Sequence, residues 1–423
     1  MKLRYILICA ISAFAVSGVL AADPTATDYS PRDCEGSLTP YREPAQETAV
    51  PDSLKPVFIN HVGRHGARYP AGPAHTMQLI SLLERADSLG TITPLGKRLL
   101  GIAGMVAETS HNRWGALDSL GMAEQREIAA RMFINFPSVF GEGAVVNAIS
   151  SYSPRAMMSM FCFVHQLDRL NSRISVVTST GRQNSELMRP FDIDTDYLEW
   201  RKTDAWMPAY NAYLDKTAPL TALRRVLGEK FPMKDLHQAR EWALLEYYLI
   251  AGLPAMSVEI NALDFFTRAE YNALWSCFNL RQYLVRCAST ISVVPAEIAG
   301  PLIRNLIVTT DNFISGKNDE RVQLRFGHAE TLMPLLSLLR LKGCYYLTNY
   351  FDTVALHWKD FYVVPMAANL QMILFRSDTG RYYLRTDLNE NPVPLIPGDE
   401  RIYIPWKEAR SYLEHCLPVD DIL

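Results

Sequence analysis

The sequence predicts an α/β protein, a mainly parallel sheet flanked by helices and interrupted by a mostly α-helical insert. Two observations carry this. Apolar, β-branched runs are followed by stretches of helical periodicity at three separate places. Between the second and third, a long aromatic-rich segment has helical spacing and almost no strand signal.

The first pair is "KPVFINHV", a buried-strand pattern, followed by "MQLISLLERADSL" over 77–89 with apolar positions at helical spacing. The helical stretch "GMAEQREIAARMFINF" (121–136) comes next. The second pair is "AVVNAISSYS" (144–153) with "AMMSMFCFVHQLDRL". The third, "VQLRFGHAETLMPLLSLLRL", repeats the strand–turn–helix order. Strands that alternate with helices imply parallel pairing, with both sheet faces covered. "ANLQMILFRS" and "GRYYLRTDL" read as late strands joined by the turn signal "SDTG". The insert spans 191–300 and includes "LHQAREWALLEYYLIAGL" and "AEYNALWSCFNLRQYLV". The core is expected over 53–190 and 301–423.

Residues 1–22 have a Lys/Arg start, an apolar stretch and a small-residue finish, as an export signal does, with cleavage expected near Ala21 or Ala22. The expected destination is the periplasm or the medium. Residues 23–52, rich in Pro, Thr, Ser and Asp, read as an extended arm. No other segment is apolar enough to span a bilayer. A net charge of −3, more negative once Lys2 and Arg4 are removed, argues against nucleic-acid binding over a general basic surface. A monomer is expected. Excluding Cys9 leaves six cysteines, enough for up to three disulfides, with Cys277–Cys287 the favoured pair. No C-x-x-C occurs, so neither a zinc nor a thioredoxin-type site is expected.

The densest chemistry is "HVGRHGARYP", the loop at the end of the first strand. Ligands of open α/β sheets bind at that edge. Gly63 and Gly66 permit close approach, and Arg64 and Arg68 each offer a planar fork of donors suited to phosphate or carboxylate. His61 reads as a buried strand histidine. A His61/His65 metal pair is rejected, because four extended residues span about 13 Å and the neighbouring arginines repel a cation.

"RHGARYP" resembles the Arg-His-Gly-x-Arg-x-Pro signature of the branched histidine phosphatases, which include acid phosphatases, phytases and inositol-polyphosphate phosphatases. "LDSLGMAEQREIAARMFINFP" resembles that family's Leu-Thr-x-x-Gly-x-x-Gln helix. "ISSYSPRAMMS" resembles its Ser-x-x-x-Arg-x-x-x-Ser segment, and "GHAETL" stands where its second histidine motif belongs. The resemblance implies a phosphoglycerate-mutase-like fold and a phosphomonoesterase that needs no cofactor or metal. It implies His65 as nucleophile, with Arg64, Arg68, Arg155 and His328 holding phosphate. Where many relatives carry His-Asp, this chain has His328-Ala329-Glu330. That variant marks the inositol-polyphosphate branch and makes Glu330 the proton donor. Arg182 and Arg189 in "GRQNSELMRPFD", with Lys202, are candidates for further substrate phosphates, or else solvated surface. Inositol hexakisphosphate and lower inositol phosphates are the expected substrates. The alternatives are a broad acid phosphatase and a silent phosphate-ester binding protein of the same fold.

Overall fold

A computed structural model describes residues 28–44 and 49–418; the expected leader, 1–22, lies outside them. Among the described residues the sheet has eight strands. They are β1 (Leu54–Arg64), β2 (Val145–Ser150), β3 (Ser175–Thr180), β4 (Glu320–Gly327), β5 (Asn369–Ser377), β6 (Tyr382–Leu388), β7 (Asn391–Val393) and β8 (Ile404–Pro405). The order is β3-β2-β4-β1-β5-β6-β7, with β8 also on β6. The α/β expectation holds, and the sheet is mixed. β3, β2, β4 and β1 run parallel. β5 then pairs antiparallel with β1, and β6 with β5, through the turn read at "SDTG". Gly380 takes a positive φ of 80° there, a conformation glycine adopts without steric cost.

β1 lies in the middle and explains its own sequence. From Phe58 to Arg64 every residue is buried, so apolar side chains (Phe58, Ile59, Val62) face both layers instead of alternating with exposed polar ones. Alternate residues still face opposite layers. Phe58 and Val62 join the large core formed with the later helices. Ile59 joins a second core that includes Ile128, Met132, Met160 and Phe163, from the helices Ser119–Asn135 and Pro154–Leu170. His61, on that second face, is buried against Phe163 and Phe326 with ring centroids 5.2 and 5.3 Å away. Burial, then Arg325, push its pKa down to about 3, so it is a neutral core histidine.

Between 191 and 300 the described chain holds helices and no strand, the longest being Leu236–Gly252 and Arg268–Arg286. Their buried residues, among them Tyr247, Tyr271 and Trp275, join the same core as Phe58 and Val62. The stretch expected to be an extended arm is folded over Asp33–Leu38 into a short 3-10 helix, with Cys34 and Ser37 buried. The Tyr29 N–H donates to Asn272 Oδ1 at 2.8 Å and fastens this segment to helix Arg268–Arg286.

The disulfide expectation fails: Cys34, Cys162, Cys277, Cys287, Cys344 and Cys416 are all free thiols. Cys277 lies inside helix Arg268–Arg286 and Cys287 is its C-cap. Ten residues of helix separate them by about 15 Å, whereas a bridge needs Cα atoms within about 7 Å. Closeness in sequence misled because the intervening residues are helical. No described helix is long and apolar enough to cross a membrane.

Candidate active site

Three parallel strands deliver the chemistry to one edge. β1 ends at Arg64, so His65 is the first residue beyond it. Ser151 follows β2, with Arg155 in the first turn of helix Pro154–Leu170. His328 follows β4 and caps helix Ala329–Leu338. The turn into β5 closes the same edge. Arg64 N–H donates to Ala368 O at 2.7 Å, His65 N–H to Gly327 O at 3.1 Å, and Ala367 N–H to His65 O at 3.0 Å.

Helix Ser119–Asn135 holds the loop after β1. A Cβ on Gly66 would stand 2.4 Å from Gly121 O, and one on Gly121 would stand 2.2 Å from Ala67 O. Two glycines are therefore needed for backbone to meet backbone. Gln125 Nε2 donates to Arg64 O at 2.9 Å, Ala67 N–H to Glu124 Oε2 at 2.7 Å, and Gly66 N–H to Ser159 Oγ at 3.1 Å. These bonds give physical content to the glycine of the helix motif and to the last serine of "ISSYSPRAMMS".

His65 is buried, and its Nδ1 lies 2.9 Å from Gly66 O. A carbonyl only accepts, so Nδ1 carries the hydrogen and Nε2 keeps its lone pair. Burial, then Arg64, Arg155, Arg68 and His328, drive the pKa well below the ordinary histidine value. The ring is therefore neutral at physiological pH, with a free lone pair on Nε2.

Arg64, Arg68 and Arg155 supply the positive charge. Arg64 Nη1 donates to Ser37 O and Val364 O, both at 2.6 Å, and Arg68 Nη1 donates to Tyr69 O at 2.8 Å. Burial lowers their pKa values to about 10 and about 9, leaving both charged at neutral pH. His328 has its ring 5.5 Å from that of His65. Arg155 Nη2 lies 3.3 Å from its Nδ1, while Arg189 Nη1 and Ser151 Oγ each lie 2.9 Å from its Nε2. Burial leads in pushing the His328 pKa down to about 3; Glu330 opposes this, and the arginines Arg155, Arg189 and Arg64 reinforce it.

Glu330 stands in the first turn of helix Ala329–Leu338. Burial alone would raise its pKa, but Arg286, 3.4 Å from Oε1, and then His328 outweigh that and hold the carboxyl down at about 2. Arg286 ends helix Arg268–Arg286 and also donates to the Tyr197 hydroxyl at 2.9 Å. The cleft lined by His65, Glu330 and the arginines beside them has a volume of about 390 Å³, with His328 just behind its wall. Among the described residues five arginines line it (Arg64, Arg68, Arg155, Arg281 and Arg286), against one carboxylate, Glu330. A chain with a net charge of −3 thus concentrates positive charge at one sheet edge.

The family model described as "Histidine phosphatase superfamily (branch 2)" matches residues 57–389. The chain belongs to this family. It is a phosphoric monoester hydrolase. The human multiple inositol polyphosphate phosphatase 1 is 25% identical over 425 residues, covering 92% of this chain and 85% of that one. The chicken protein of the same name is 23% identical, with coverage of 97% and 93%. Among solved structures, a Bifidobacterium longum multiple inositol polyphosphate phosphatase in complex with inositol hexasulfate superposes with a TM-score of 0.78 at 18% identity. It covers 92% of this chain and 98% of that one. The phytase from D. castellii gives a TM-score of 0.69 at 15% identity, over 97% and 92%.

In this branch 2 histidine phosphatase, six expected residues converge: His65, Arg64, Arg68, Arg155, His328 and Glu330. Of the three expected to reach further phosphates, Arg189 arrives, though at His328. It is tied to Asp192 at 2.6 Å and lies over the Tyr152 and Phe191 rings. Arg182 also stacks on Tyr152, with its guanidinium 4.5 Å from the centroid, and is not part of the cleft wall. Lys202 pairs with Glu199 at 2.6 Å on an exposed helix and is likewise absent from the wall. Arg281, Arg286 and Ser151 were not singled out in the sequence. A signal for the first two existed in "NLRQYLVRC", two arginines on an otherwise largely buried helix.

Proposed function

We propose that the enzyme hydrolyses the phosphate monoesters of inositol polyphosphates, inositol hexakisphosphate included, through a phosphohistidine on His65. The observation that carries this is the cleft wall of five arginines facing a single carboxylate. Three of those cations suffice for one transferring phosphoryl group. Arg281 and Arg286, on helix Arg268–Arg286, are left to meet phosphates that do not react. The names of the similar human, chicken and Bifidobacterium longum proteins support the same substrate class.

The geometry supports the following chemistry. His65 Nε2 attacks phosphorus, forming the N–P bond as the ester P–O bond breaks. A neutral nucleophile avoids the repulsion that a carboxylate would meet. Arg64, Arg68, Arg155 and His328 bind the non-bridging oxygens, so preorganised positive charge stabilises the transition state. Glu330 gives a proton to the departing alkoxide, then takes one from the water that cleaves the N–P bond. Phosphate leaves and His65 returns neutral. Export to the periplasm or the medium belongs to this proposal and rests on residues 1–22.

The test is turnover of inositol hexakisphosphate, with chromatographic identification of the products, beside sugar phosphates and an aryl phosphate. Release of lower inositol phosphates is expected. Indifference to inositol hexakisphosphate with good aryl phosphate turnover would leave a broad acid phosphatase. His65→Ala should abolish turnover while phosphate binding stays measurable, which separates an enzyme from a silent binder.

A further inference from the structure

We infer that Asp360 is a positioning residue for Arg64, holding in place both main-chain carbonyls that aim its guanidinium. The inference rests on the reading of Arg64 as a phosphate-binding residue, and not on the identity of the organic part of the substrate.

Arg64 has two partners at Nη1, Ser37 O and Val364 O, each at 2.6 Å. They come from segments 27 and 300 residues away in sequence, and Asp360 joins them. Its Oδ2 accepts the Ser37 N–H at 2.8 Å, and its carbonyl accepts the Val364 N–H at 2.8 Å. One residue therefore fixes the peptide on the amino side of each carbonyl-bearing residue.

Asp360 is in turn fixed from a third direction. Its Oδ1 accepts Trp275 Nε1–H and its own N–H donates to Asn279 Oδ1, each at 2.9 Å. Asp360, Trp275 and Asn279 have no exposed surface, and Ser37 is 2% exposed. Trp275 and Asn279 sit on helix Arg268–Arg286, whose last residue reaches Glu330. The network thus links the arginine beside His65 to the helix that touches the proposed acid.

The local backbone is built around this contact. Gly36 has φ 61° and ψ −139°, which interrupts helix Asp33–Leu38 just before Ser37. A Cβ there would stand 2.8 Å from Asp360 Oδ2. Glycine is required by both the conformation and the approach of the carboxylate. The Val364 N–H bond closes the short helix Asp360–Val363, so the side chain of Asp360 acts on the Ser37 carbonyl directly and on the Val364 carbonyl through the placement of that helix.

Phosphate contacts demand sub-ångström placement, so loosening Arg64 should weaken phosphate holding more than it weakens the fold. The experiment uses an aryl phosphate as substrate and inorganic phosphate as competitive inhibitor, with Tm measured alongside. Asp360→Asn turns one acceptor into a donor facing Ser37 N–H or Trp275 Nε1–H. It should lower kcat and raise the phosphate inhibition constant, each by about tenfold. Trp275→Phe should act in the same direction, and it carries the test if Asp360→Asn does not fold. In an Arg64→Ala background the same substitutions should add less than about twofold, because residues acting as a unit are non-additive. Losses that multiply in that background, or a lowered Tm with phosphate inhibition unchanged, would overturn the inference. Arg64→Ala with undiminished phosphate affinity would overturn both the phosphate-binding role of Arg64 and this inference.

Discussion

Arg286 places Nη2 3.4 Å from Oε1 of Glu330, so the proposed proton donor rests against a cation supplied by another helix. That contact and His328 overcome the effect of burial and leave the carboxyl at about 2. In the free enzyme Glu330 is therefore ionised at any working pH, and the proton it donates must enter with the substrate. A phosphate monoester has a second pKa near 6. Binding of the monoanion to an ionised Glu330 is equivalent, proton for proton, to binding of the dianion to a neutral one. We expect kcat/KM to fall above about pH 6. Arg286→Gln should release Glu330 toward its ordinary value of 4.5 or above and bring an acid limb into the measurable range. A pH–rate profile that is the same for both forms would show that Arg286 does not control this carboxyl.

Leaving-group dependence tests the role of Glu330 itself. An inositol alkoxide is a poor leaving group without a proton, whereas an aryl oxide departs unaided. Glu330→Gln should slow inositol hexakisphosphate hydrolysis by roughly 10²–10⁴-fold and aryl phosphate hydrolysis far less. Parallel losses on the two substrates would assign Glu330 to binding.

How much of this was readable beforehand depended on whether a residue's partners were local. His65, Arg64 and Arg68 sit in one loop, and Arg155 and His328 in short motifs directly after strands, so strand ends alone bring them together. Glu330 follows from His328 by helix geometry. Arg286 is placed by the packing of helix Arg268–Arg286, which no local pattern encodes. Asp360 finds Ser37 at a separation of 323 residues, and no motif marks either residue. Lys202 shows the opposite error: a cation near the motif in sequence turns outward and pairs with Glu199. The Cys277–Cys287 expectation failed because proximity along the chain is not proximity in space when a helix intervenes.

The contact of Gly66 with Gly121 predicts a steric lesion at the centre of the motif. Gly121→Ala places a methyl group 2.2 Å from Ala67 O, and neither backbone can yield without shifting the His65 loop. Overpacking of this kind costs about 1–3 kcal/mol. We expect a lower Tm together with a loss of turnover larger than the stability change explains. Gly66→Ala should behave alike. A fully active Gly121→Ala enzyme would mean that the loop tolerates displacement.

Glu246 makes a prediction about stability away from the site. It is fully buried in helix Leu236–Gly252, and neither carboxyl oxygen has a hydrogen-bond partner. Burial pushes its pKa up to about 8; Arg225 opposes the shift and Glu270 adds to it. Because the folded value lies above the ordinary 4.5, the folded state holds the proton more tightly than the unfolded chain. Below about pH 4.5 the group is neutral in both states and has no effect on the pH dependence. As pH rises from there to about 8 the unfolded chain releases the proton first, so this group's contribution to stability declines. Above that range the penalty is constant. Glu246→Gln removes the ionisation and keeps the shape. It should raise stability at pH 8 by on the order of 4 kcal/mol and change it little near pH 4. Denaturant unfolding of both proteins at the two pH values checks this. An equal difference at both would show that Glu246 ionises no differently in the folded and unfolded chain.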